Sequence, residues 1–190
     1  MSPADEMSPH DDGFIPMIDR RNILVGSAGG ALAALAPPAW AQTAFPSHRW
    51  VNIVFTPTGE RFSDRYYWDG AYSMAAVKQF SWTCRDYRLK EWKWIHPWLM
   101  DLVFVLHWKY DKNVINILSG YRSPETNAQI EGAALNSQHT RAMALDIHIP
   151  NIDNESVARD LKTIIYGGTG MYPGKAFTHF DFGPLRSWVG

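Results

Sequence analysis

Three side chains in the C-terminal half have the types and spacing to hold a metal ion. His139 and Asp146 lie in Ser137-Gln138-His139-Thr140-Arg141-Ala142-Met143-Ala144-Leu145-Asp146, and His179 lies in Phe177-Thr178-His179-Phe180-Asp181-Phe182. Two imidazoles and one carboxylate suit zinc, and catalytic zinc sites characteristically use three protein ligands and leave the fourth position to water. Such an ion acidifies its water and polarises a carbonyl. The chemistry expected is hydrolysis, with a nearby carboxylate taking the proton. Spacing alone is a modest signal, because an isolated histidine is more often a satisfied, partly buried one.

These residues need a frame that brings them to one point. Met143 to Ile149 alternates and predicts a strand stopped by Pro150, with His139 on the loop entering it. Ala176 to Phe182 alternates again, so His179 and Asp181 share one face and Thr178, Phe180 and Phe182 share the other. Two strands of one sheet can therefore present all three ligands together. By the same alternation His148 shares a face with Asp146 and is expected to line a groove.

Further strands are expected over Trp50–Phe55, with a turn at Pro57-Thr58-Gly59, and over Asn113–Leu118. Helices are expected over Ala71–Trp82, His96–Tyr110, Ser123 to near Gly132, and Asn154–Ile165. Ser123-Pro124-Glu125 has the order of an N-cap, a first-turn proline and a first-turn acid. Gly167-Gly168-Thr169-Gly170 reads as a loop. Helices and short strands mix without a regular βαβ repeat. The expected fold is a small α+β domain, with a central antiparallel sheet flanked by helices.

The single cysteine, Cys84, excludes an internal disulfide and a Cys-based zinc site. It is expected to be a small buried apolar residue. A formal charge of -1 gives no sign of a nucleic-acid partner. Asp19-Arg20-Arg21, a small-residue apolar run from Gly26 to Ala36, and Ala39-Trp40-Ala41 form a signal-peptide pattern. The paired arginines make it resemble a twin-arginine signal, with cleavage expected after Ala41. The run is too short to span a bilayer comfortably. Residues 42–190 would then form an exported domain of the periplasm or cell envelope, with no stable membrane span. Removing residues 1–41 takes away five acids and two arginines, leaving that domain at about +2.

Ser137-x-His139 through Ala144-x-Asp146, followed by Phe177-x-His179-x-Asp181-x-Gly183, resembles the zinc D,D-peptidase superfamily that includes lysostaphin-type and hedgehog-type domains. The nearest likeness is to its exported murein endopeptidase branch. Thr56-x-Thr58-Gly59-Glu60, Ser119-Gly120-Tyr121-Arg122-Ser123-Pro124, Gly167-Gly168-x-Gly170-x-Tyr172-Pro173 and Arg186-x-Trp188 also match. The resemblance implies a hedgehog/D,D-peptidase-like fold and one Zn2+ on His139, Asp146 and His179. It implies peptidoglycan as substrate, with hydrolysis of amides in stem peptides or their cross-links. Arg122 matches the family's substrate arginine, suited to a substrate carboxylate or a developing oxyanion.

Two departures stand out. Ala142 replaces the family's usual Gly, and Ala176 stands where the carboxypeptidase branch has a basic Glu. Asp181 is then expected either to replace that base or to orient a ligand imidazole from behind. A D-Ala-D-Ala carboxypeptidase and a non-catalytic zinc or wall-binding module are the alternative functions. A serine hydrolase is not indicated, since no Gly-x-Ser-x-Gly elbow is present.

Overall fold

The computed structural model describes residues 46–111, 114–130, 132–165 and 167–190. The expected signal segment, 1–41, lies outside the described residues. The chain forms β1 (Arg49–Phe55), β2 (Glu60–Trp68), β3 (Ala71–Tyr72), α1 (Met74–Thr83), α2 (Pro97–Tyr110) and β4 (Ile115–Ser119). It continues through α3 (Pro124–Ala128), β5 (Ala144–His148), α4 (Asn154–Ile164), β6 (Gly168–Tyr172), β7 (Phe177–Asp181) and β8 (Arg186–Val189). The eight strands make one sheet in the order β3-β2-β1-β4-β5-β7-β6-β8.

The domain is α+β as expected, but the sheet is mixed and not purely antiparallel. β1 pairs in parallel with β4, and β6 pairs in parallel with β8. The long excursion through β2, β3, α1 and α2 gives the chain room to return alongside β1 in the same direction. β8 follows a turn after β7 and docks on the far edge of β6, which itself runs antiparallel to β7.

Local chemistry explains where the helices begin. The Ser73 side chain accepts from the Ala76 amide and caps α1. His96 Nδ1 accepts from the Trp98 amide ahead of α2, whose first residue is Pro97. Burial lowers the His96 pKa to about 4, which keeps that ring neutral and able to accept. Ser123 caps α3, but this helix stops at Ala128, short of the expected Gly132. Beyond it the amides of Gln129 and Ile130 bond three residues back, and Asn127 Nδ2 donates to the Ala134 carbonyl, folding the segment into turns.

α2 is buried along most of its length and packs on β1, while α1 packs on β2 and α4 packs on β6 and β7. Leu145, Ile147 and Phe180 enter this core, and Thr178 Oγ1 donates to the Asn154 carbonyl of α4. The opposite faces of β5 and β7 are thereby left to carry Asp146, His179 and Asp181. Cys84 is fully buried, and burial pushes its thiol up, so it is an inert packing residue. Among the described residues no helix is long and apolar enough to cross a membrane.

Candidate metal centre

The register between β5 and β7 places Asp146 directly opposite His179. His139 arrives from a short 3-10 turn, Gln138–Arg141, held at its start by the Ser137 side chain. Three atoms converge. His139 Nε2 lies 3.2 Å from Asp146 Oδ1 and 3.2 Å from His179 Nδ1, and His179 Nδ1 lies 2.8 Å from Asp146 Oδ1. The structure thus brings together all three side chains singled out as metal ligands.

Each imidazole is oriented by its other nitrogen. His139 Nδ1 donates to the Gly120 carbonyl at 2.7 Å, because a carbonyl can only accept. His179 Nε2 donates to Asp181 Oδ2 at 2.7 Å. These bonds select tautomers whose free lone pairs, on His139 Nε2 and His179 Nδ1, both point at the Asp146 carboxylate. Two lone pairs and a carboxylate oxygen repel one another unless a cation sits among them. Ligand atoms about 2.0–2.1 Å from a tetrahedral zinc stand roughly 3.3 Å apart, close to the observed spacing. The donor set therefore fits zinc.

With no cation among them, the three groups shift one another's ionisation. Burial holds His139 below the ordinary imidazole range, against the pull of Asp146. Burial opposes ionisation of Asp146, but contacts with His139 and His179 outweigh it and keep the carboxyl well below the usual range. Burial would lower His179 too, yet its bonds to Asp146 and Asp181 raise it.

Asp181 sits behind His179, on the side away from the converging atoms. It is fully buried, and both its oxygens are engaged. Arg186 grips it with a fork, Nη1 to Oδ1 at 3.1 Å and Nη2 to Oδ2 at 2.7 Å. The Gly168 and Gly183 amides also donate to Oδ1. These donors outweigh the burial that would raise its pKa and keep it ionised.

The glycines read as a loop, residues 167–170, are mostly strand β6, and tertiary packing explains them. A Cβ at Gly168 would lie 2.4 Å from Arg186 Nη1 and 2.5 Å from Asp181 Oδ2, and one at Gly170 would lie 2.4 Å from the Trp188 ring. Bare backbone lets the Arg186–Asp181 pair and Trp188 lie across the strand. Gly120 likewise lets its segment pass against Cys84, whose carbonyl a Cβ would approach to 2.3 Å.

The centre opens on a cleft of about 710 Å³, which Arg122, Tyr172 and Trp188 also line. Arg122 Nη2 stands 3.5 Å from Asp146 Oδ2, and its buried Nε has no hydrogen-bond partner among the described residues. Trp188 Nε1 donates to the Tyr172 hydroxyl, and the indole packs beside the His179 ring. His148, expected to line the groove, does not: it pairs opposite Asn116 at the end of β5 and is not among the residues facing the cleft.

Sequence reasoning missed Asp86. This buried carboxylate accepts from the Ser123 amide at 2.9 Å and hydroxyl at 2.8 Å, and so fixes the turn carrying Arg122. The run Arg85-Asp86-Tyr87-Arg88 was the available signal.

Ala142 has φ 56° and ψ 34° and is fully buried. An L-residue is strained there by about 1–2 kcal/mol. Ala142→Gly is expected to raise unfolding free energy by roughly 0.5–1 kcal/mol, net of glycine's greater freedom when unfolded. Urea denaturation measures this, and an unchanged or lower midpoint would show that the site does not strain alanine.

Residues 43–188 match the family described as peptidoglycan L,D-endopeptidase MepK. The chain is similar to the peptidoglycan L,D-endopeptidase MepK of Escherichia coli strain K12, 31% identical over 176 residues, which cover 90% of this chain and 97% of that one. It is also similar to the probable peptidoglycan L,D-endopeptidase MepK of Haemophilus influenzae, 28% identical over 183 residues, covering 93% and 98%. No solved structure matches. The likeness to the zinc D,D-peptidase superfamily seen in the motifs is borne out by these matches. By the extent of the family match and the identity to its relatives, the chain belongs to the peptidoglycan L,D-endopeptidase MepK family.

Proposed function

We propose that this protein is a zinc-dependent endopeptidase that hydrolyses amide cross-links of peptidoglycan, and that it is exported through its twin-arginine-like leader. The observation that carries the reading is the convergence of His139 Nε2, His179 Nδ1 and Asp146 Oδ1 in a cleft. Family membership supports the substrate, since the relatives are named for peptidoglycan and for an L,D bond.

His139, Asp146 and His179 would hold the zinc. When bound, such an ion supplies Lewis-acid polarisation of a carbonyl and acidification of a water. The Arg122 fork beside Asp146 is placed to steady negative charge on the substrate, either a carboxylate or a developing oxyanion. Of its two expected roles, Asp181 takes the orienting one. Its oxygens are occupied by Arg186, two amides and His179, so it fixes the ligand tautomer and does not collect a proton from the cleft.

Asp181→Asn should weaken zinc affinity about 10- to 100-fold. Competition against a chromophoric chelator measures this, and unaltered affinity would remove Asp181 from the ligand-orienting role. The function itself is tested by digesting separately purified L,D- and D,D-cross-linked muropeptide dimers and weighing the fragments. Conversion of the L,D dimer to monomers is expected. A zinc-loaded protein that cleaves neither dimer would instead be a binding module.

A further inference from the structure

The wall of the cleft that carries Arg122 carries a second arginine, on a backbone segment held in place. Arg88 is exposed, faces the same cleft, and has no carboxylate within ion-pair distance among the described residues. The other cleft arginines are committed. Arg85 forks Glu60 at 2.8 and 3.1 Å, and Arg186 forks Asp181.

The segments bearing Arg88 and Arg122 are locked together. Asp86 Oδ1 accepts from the Arg88 amide at 3.1 Å, while its Oδ2 takes the Ser123 amide and hydroxyl. The Tyr121 amide donates to the Cys84 carbonyl at 2.9 Å. One buried carboxylate and one backbone bond thus hold the two arginine-bearing segments together on one wall of the cleft. Like charges held together by design of the backbone are relieved by an anion bound between or beside them. The Arg88 guanidinium also lies over the Tyr87 ring at 4.6 Å, which limits its freedom and lessens the cost of ordering it on binding.

We infer that Arg88 is a specificity-determining residue that binds a free carboxylate of the substrate flanking the scissile amide, alongside Arg122. The inference rests on the endopeptidase reading and deepens it. A stem-peptide residue joined through its side chain keeps a free α-carboxylate, so cross-linked peptides supply this group. An amidated stem peptide presents a neutral carboxamide instead, which a guanidinium fork binds poorly.

The test compares L,D-cross-linked muropeptide dimers carrying free carboxylates with the same dimers amidated at those positions. Wild type should prefer the free acid by roughly 10- to 100-fold in kcat/KM, mostly through KM. In Arg88→Ala that preference should fall towards one, and Arg88→Lys should restore part of it. The Asp86 bond to residue 88 uses the backbone amide, so it survives both changes. Lys90→Ala removes the same charge from an exposed position that does not line the cleft, and should leave the preference intact. A wild type that cleaves both forms equally, or an Arg88→Ala variant with undiminished preference, overturns the inference alone. A wild type that cleaves neither form overturns the endopeptidase reading and this inference with it.

Discussion

His179→Ala should abolish both zinc retention and hydrolysis while leaving the domain folded. The substitution removes Nδ1 from the three-atom cluster and leaves His139 and Asp146 as a two-ligand remnant. Two ligands do not make the three-ligand catalytic site that zinc chemistry requires, so activity should fall roughly a thousandfold or more. The fold should persist because Asp181 keeps the Arg186 fork and two backbone amides after the imidazole is gone. Zinc that binds only the native state raises its stability by mass action. Added zinc should therefore raise the melting temperature of the wild type and not that of His179→Ala. Equal zinc-dependent stabilisation of both proteins would place the ion elsewhere.

The second large effect lies far from the cleft. Asp101→Ala should destabilise the domain by about 3–5 kcal/mol, because it removes one member of a buried ion pair and leaves the Arg49 charge in the core without that carboxylate. Arg49 and Asp101 are each 1% exposed and bridge β1 to α2 at 2.8 Å. The Tyr66 and Tyr72 hydroxyls also donate to this carboxylate, so one buried and one partly buried group lose this acceptor. Burial pushes the Asp101 carboxyl upward, and Arg49 with the two tyrosines resists the shift. A loss of that size is a large share of a typical domain's 5–15 kcal/mol. It should lower Tm by roughly 6–20 °C. The paired change Arg49→Met with Asp101→Leu should recover only part of it, since apolar replacements often match a buried ion pair but leave the two tyrosine hydroxyls without this acceptor. A single variant within about 1 kcal/mol of wild type would mean that the network contributes little.

The legibility of the site and of the fold differ for physical reasons. The shared face of Asp146 and His179 could be read because period-two alternation assigns strand faces locally, and β5 and β7 follow it, with Leu145, Ile147 and Phe180 entering the core, whereas His139, on a turn, was marked by its motif. The position of Asp181 behind the candidate metal centre could not be read, because it depends on which nitrogen of His179 faces Asp146. That is set by the pairing of Asp146 with His179 across two strands and by Arg186 arriving from β8. β2 escaped detection because only Phe62, Tyr66 and Tyr67 are buried along it, a pattern that breaks alternation. β6 was mistaken for a loop because glycine ordinarily marks turns. Here its absence of side chain answers to Trp188 and Arg186, which come from later in the chain. The Arg49–Asp101 bridge joins residues 52 apart, and no local pattern announces it.

In the proposed function, hydrolysis depends on one metal ion held by His139, Asp146 and His179. The most direct measurement is digestion of purified peptidoglycan by protein stripped with a chelator, then titrated with zinc while fragment release is followed by mass spectrometry. No release from the stripped protein and full recovery at one zinc per chain are expected. Undiminished digestion by protein shown by elemental analysis to carry no metal would contradict that dependence.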